Sequence, residues 1–142
     1  MIYFIRMHPN EMTEDDKLAL IRFTKWDHIQ RTAAELIDYV LKDVFQMWRV
    51  VGDPEKVSCL LLTRVIRTDR GGRTLYVEGF VGKGFSRYPK ECCDAFLELA
   101  KSGNCRSVTG GVRRPGMIKM VQKGGLPIVA QIFVKETGLE GS

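Results

Sequence analysis

Residues 73–134 read RTLYVEGFVGKGFSRYP, then KECCDAFLELAKSGNC, RSVTGGV, RRPGMIKMVQKGG and LPIVAQIFV. This stretch decides the fold, because it orders a strand, a basic turn, a helix, a strand, a short helix and a strand. In the first piece Leu75, Val77 and Val81 are expected on one face and Tyr76, Glu78 and Phe80 on the other, since strand side chains alternate. Tyr88-Pro89 opens the helix with proline in its first turn, where no intrahelical N–H is lost. Cys92, Cys93, Phe96, Leu97 and Ala100 form its apolar stripe, and Ser102-Gly103-Asn104 ends it. Val108 lies in a short strand next to Gly110-Gly111, which marks a bulge or a close backbone approach. Pro115 starts a brief helix to Lys123, and Gly124-Gly125 releases the chain into a last strand over residues 128–134.

Upstream, residues 1–6 read as a strand. Thr13 with Asp16 forms an N-cap, and Glu14, Asp15 and Asp16 suit the positive end of a helix that runs to about Lys25. Asp27 with Gln30 resembles a capping box for a second helix. Ile29, Ala33, Leu36, Ile37, Val40, Leu41, Val44 and Phe45 line its apolar face, and Arg31, Glu35, Asp38 and Lys42 are left to water. Residues 48–51 are short and β-prone. The β-prone run over 57–67 and the strand over 74–81 flank a glycine-bearing turn, which predicts an antiparallel hairpin.

The length of 142 residues fits one domain, 1–142, with enough chain to bury a core unaided. No apolar run approaches the ~20 residues that cross a bilayer, so no membrane role is expected. The N-terminus lacks the pattern of a signal peptide. Four cysteines without C-x-x-C spacing and only two histidines argue against zinc and for reduced, buried thiols in an intracellular protein. The net charge of +5 is uneven: residues 1–60 sum to −2 and residues 61–142 to +7. A basic C-terminal half suits a polyanion such as nucleic acid, nucleotide phosphates or an acidic protein face, although no aromatic-rich strand accompanies it to stack bases.

The element order resembles that of the GCN5-related N-acetyltransferase (GNAT) superfamily across nearly the whole chain. Two pieces carry the resemblance: Phe96-x-x-x-Ala100-x-x-Gly103-x-Cys105, like the family's central helix and following strand, and residues 118–126, like its closing Leu-Tyr-Glu-Lys-x-Gly-Phe segment. The resemblance implies an α+β fold with a mixed, mostly antiparallel sheet flanked by helices, in the order β-α-α-β-β-β-α-β-α-β. Short divergent proteins of this kind also occur in tailed bacteriophages, and this chain looks like one of those. That implies a protein partner or homo-oligomer in an assembly and a virion-associated alternative to the cytoplasm.

The family grips acyl-CoA with Gln/Arg-x-x-Gly-x-Gly/Ala, whose glycines let backbone N–H groups close on the pyrophosphate at a helix N-terminus. Gly84-Phe85-Ser86-Arg87-Tyr88-Pro89 falls at that grip. Arginine and proline then take the glycine positions, and proline removes an N–H donor. Glu78 matches the strand position of the family's general base, and Val121 falls where the family often has a tyrosine acid. An ion pair with Arg64 or Arg67 is the other role open to Glu78. Lys83, Arg87 and Lys90 cluster at the helix start as candidate phosphate contacts. Cys92 or Cys93 near that helix start is a candidate nucleophile, with core packing as the alternative.

Three functions follow from this reading. The first is a GNAT-like protein with a degenerate acyl-CoA site and no expected cofactor, serving as a binding or structural component of a phage particle. The second is an acetyl-CoA-dependent N-acyltransferase with Glu78 as base and Lys83, Arg87 and Lys90 on the cofactor phosphates. The third is a basic nucleic-acid-associated protein.

Overall fold

The structure, a computed structural model, describes residues 2–25, 31–52, 58–67, 69–83, 88–110 and 115–125. Five strands form one sheet in the order β1-β2-β3-β4-β5: β1 (Ile2–Met7), β2 (Gln46–Gly52), β3 (Ser58–Arg67), β4 (Arg73–Lys83) and β5 (Ser107–Gly110). The first four pair antiparallel and β5 joins β4 in parallel. The predicted last strand over 128–134, the Asp27–Gln30 box, the loop 84–87 and Gly111 lie outside the described residues.

Helices cover both faces. On one side lie α1 (Glu14–Thr24) and α2 (Ala33–Leu41), and on the other α3 (Pro89–Ser102) and α4 (Pro115–Lys123). The first layer buries Leu20, Phe23, Leu36 and Val40 against Met7, Met47, Leu60, Leu62 and Val81. The second buries Cys92, Cys93, Phe96 and Val121 against Val50 and Leu61, with the Phe4 ring stacked on Phe96 at 5.5 Å.

Local chemistry explains the helix ends. Thr13 Oγ1 accepts from Asp16 N while Asp16 Oδ2 accepts from Thr13 N, the reciprocal box expected at the start of α1. The α2 helix is shorter than the apolar periodicity predicts. Thr32 and Glu35 form its box, so it begins at Ala33. It stops at Leu41 because Asp43 adopts the left-handed conformation (φ 58°) and the N–H groups of Val44 and Phe45 turn back to Tyr39 O. Phe45 keeps its predicted burial from outside the helix, against the Tyr39 ring.

At its far end α4 approaches α3 closely. A Cβ on Gly124 would meet the Pro89 carbonyl oxygen at 2.7 Å, so glycine is required there by contact. The close approach predicted at Gly110 is present too: its Cβ would lie 3.0 Å from Val77 O across the β4–β5 pair.

Candidate functional site

The β3–β4 pairing changes register at one place. Leu62 pairs with Gly79 and Thr63 with Val77, which leaves Glu78 as the extra residue of a β-bulge. The bulge breaks the alternation predicted for this strand. Val77 packs with the α3 layer, but Val81 packs with Leu20, Phe23 and Leu60 in the α1–α2 layer. Leu75, Val77 and Val81 therefore do not share a face, because one inserted residue reverses every side chain after it. Gly79, beside the bulge, is overlain by the Phe23 ring so closely that a Cβ there would overlap it.

Two arginines meet the Glu78 carboxylate. Arg31 Nη2 donates to Oε2 at 2.9 Å, and Arg64 Nε lies 2.5 Å from Oε1. The second contact is coulombic: the Arg64 N–H does not point along it, and Oε1 accepts no hydrogen bond among the described residues. The Glu78 side chain is 1% exposed, that of Arg31 8% and that of Arg64 39%. Each guanidinium also lies over a ring, Arg31 over Phe45 at 5.2 Å and Arg64 over Tyr76 at 5.1 Å.

The Arg64 pair is one that the sequence suggested. Arg31 is a correction, since it was expected to face water on the polar side of α2. The reason is that Arg31 precedes the Thr32 cap, so helical phase does not govern it. The Thr32-x-x-Glu35 box was the sequence signal that placed it outside the helix.

The predicted phosphate contacts are only partly described. The side chains of Lys83 and Arg87 lie outside the described residues. Lys90 is exposed in the first turn of α3, with Nζ 3.1 Å from Asp94 Oδ2. Tyr88 caps α3 without a side-chain hydrogen bond, and Pro89 occupies the first turn. The described part of β5 pairs with β4 no further than Val77–Gly110, whereas β4 continues to Lys83.

Val121 is buried in the core with Cys92, Cys93 and Phe96. Both cysteines pack rather than face solvent. Burial, reinforced by the nearby Asp94 carboxylate, pushes the Cys93 thiol up to about 11. A thiol so poorly ionised is a weak nucleophile at neutral pH.

Sequence reasoning missed one further pair. Arg49 of β2 donates to both oxygens of Asp16, at 3.2 and 2.7 Å, and so ties the start of α1 to the sheet. Burial alone would raise the Asp16 carboxyl, but the Arg49 and Thr13 hydrogen bonds outweigh it and hold the group below its ordinary value. Among the described residues, no cluster of His, Cys, Asp or Glu is arranged to hold a metal, and no helix is long and apolar enough to cross a membrane.

No family model and no curated protein matches this chain. Solved structures do. An aminoglycoside acetyltransferase from an uncultured soil metagenomic sample, in complex with sisomicin, is similar at a TM-score of 0.65 and 11% identity, over 98% of this chain and 97% of that one. A ribosomal-protein-alanine N-acetyltransferase from Brucella melitensis biovar Abortus is similar at 0.61 and 13%, over 97% and 100%. A predicted acetyltransferase from Clostridium acetobutylicum, with acetyl-CoA, is similar at 0.55 and 12%, over 96% of each chain. The fold is that of the GNAT acetyltransferases, a mixed α+β sheet flanked by helices.

Proposed function

We propose that this chain is an acetyltransferase-like protein of the GNAT fold that binds a partner rather than transferring acyl groups efficiently. The observation that carries this reading is the state of Glu78. A general base must reach the proton that it removes and take it in the transition state. The Glu78 carboxylate is instead enclosed at 1% exposure between two guanidinium groups. Val121, at the position of the family's acid, has no proton to give and is buried.

Coenzyme A fits the described start of α3 poorly. Pro89 supplies no N–H there, and Lys90 is paired with Asp94. On this reading the chain serves in an assembly, such as a phage particle, with a protein partner or a second copy of the chain.

The test is titration calorimetry of the full chain with acetyl-CoA, followed by an acetyl-transfer assay on a panel of amines. Binding weaker than millimolar and no turnover are expected. Micromolar affinity would overturn the proposal.

A second reading, an acetyl-CoA-dependent N-acyltransferase, draws on one observation. Among the described residues no strand pairs with β4 beyond Val77 on the β5 side, which is where an extended ligand would pair on this reading. Turnover that survives Glu78→Gln would favour this reading with water, not Glu78, accepting the proton.

A further inference from the structure

The end of the sheet away from α3's first turn carries an arrangement that the acyl-transfer reading does not use. Arg67 and Arg73 are direct cross-strand partners at the mouth of the β3–β4 hairpin. Arg70 lies in the turn between them. Arg106, just before β5, donates its backbone N–H to Arg73 O at 2.8 Å, which sets it beside the pair. Arg67, Arg70 and Arg106 are exposed and Arg73 is half-buried.

Like charges directly opposite each other on a sheet are destabilising, and proteins usually relieve them with a carboxylate. Here none of the four forms an ion pair among the described residues; even Asp69, in the same turn, pairs with none of them. Arg73 Nε is buried and has no hydrogen-bond partner. Four guanidiniums with no ion-pair partner among the described residues thus share one end of the hairpin, an arrangement suited to an anion.

We propose that this hairpin end binds the phosphodiester backbone of nucleic acid without reading bases. Its lining selects among polyanions. Protein interfaces need an apolar core, and the exposed large hydrophobics of the described residues (Tyr3, Ile5, Leu18, Ile21, Leu41, Val44 and Leu97) all lie on other elements. Among the described residues no exposed ring lies at this end to stack a base. Arginine matches phosphate through paired, charge-assisted hydrogen bonds, and phosphate contacts need no apolar surroundings. The site is separate from Glu78, which lies five residues along β4 from Arg73, about 17 Å at ~3.3 Å per residue.

Fluorescence anisotropy of two short labelled duplexes of unrelated sequence, titrated with the full chain, tests the proposal. Both duplexes should bind equally. Four phosphate contacts should weaken binding on the order of 100-fold between about 50 and 200 mM salt. Arg67→Gln, Arg70→Gln and Arg106→Gln should each reduce the log–log salt slope by about 1, with the far-UV circular dichroism of the parent retained. Arg6→Gln, which removes a cation paired with Asp43 elsewhere, should leave the slope unchanged. Binding that is flat with salt, or a slope untouched by the three substitutions, overturns the proposal. So does poly-glutamate binding as tightly as the duplexes, which would make this a surface for acidic protein.

Discussion

Glu78→Gln separates a structural carboxylate from a catalytic one. The substitution keeps the side-chain shape but removes the charge that faces Arg31 and Arg64. Arg31, at 8% exposure, has little access to water that could replace the lost partner. Removing one member of a buried pair typically costs about 3–5 kcal/mol, because the other charge is left uncompensated. Arg64 is 39% exposed, so its share is screened and stays within about 1 kcal/mol. The glutamine carbonyl can still accept one hydrogen bond, which places the expected loss near the lower figure, about 3 kcal/mol. For a chain of this length that corresponds to a melting temperature lower by roughly 6–12 °C.

The assay is urea and thermal unfolding of the parent, Glu78→Gln, Arg31→Gln and the double variant. The two single losses should be sub-additive, with a coupling of about 2 kcal/mol, since each removes the same contact. Arg64→Gln should cost far less than Arg31→Gln. A Glu78→Gln protein that melts within 2 °C of the parent, with tolerances on the order of 0.5 kcal/mol, would refute the structural role. Loss of an acetyl-transfer rate in such an intact variant would return Glu78 to the chemistry.

Three further outcomes are expected. The Asp16 carboxyl is held below its unfolded value of 3.8, so its contribution to stability is complete above that value and lost as pH falls through the folded one; Asp16→Asn should cost about 2 kcal/mol at neutral pH and flatten the acid limb of the stability curve. Cys93, with its thiol pushed up to about 11 and its side chain buried, should resist iodoacetamide under native conditions at neutral pH, and rapid alkylation mapped to Cys93 by mass spectrometry would contradict the packing. Gly79→Ala should destabilise by about 1–3 kcal/mol through overlap with the Phe23 ring, yet cost little more when added to Phe23→Leu, measured by chemical denaturation.

Much of the architecture is readable from residues whose signals are local. Pro115 and Lys123 bound α4 as expected, Pro89 opens α3, and Thr13 with Asp16 starts α1. The hairpin follows from two β-prone runs around a glycine turn. The candidate site was less legible because its geometry is tertiary. Glu78 could be picked out by its place in a β strand, but its state depends on Arg31, 47 positions away in sequence. A bulge carries no mark in the sequence when its extra residue is an ordinary polar one. Periodicity therefore ran straight through residue 78 and put Val81 on the wrong face. The same kind of error lengthened α2: apolar spacing continues through Val44 and Phe45, yet Asp43 in the left-handed conformation ends the helix before them.

The bulge and the ion pair explain each other. With Thr63 opposite Val77 and no inserted residue, the register beyond Val77 would shift by one, and Val81 would leave the layer that it shares with Phe23. The bulge instead presents Gly79 to Phe23, the one residue there without a Cβ to obstruct the ring. Glu78 itself lies on the α1–α2 side, where an isolated carboxylate at 1% exposure would be prohibitively costly. Arg31, held at the cap of α2 and resting on Phe45, is the group that makes that burial tolerable. Since buried ion pairs seldom stabilise a fold beyond an apolar equivalent, the contribution of this one is best located in register: it couples the start of α2 to the single inserted residue of β4. On the function proposed above, the carboxylate's task is to hold that register.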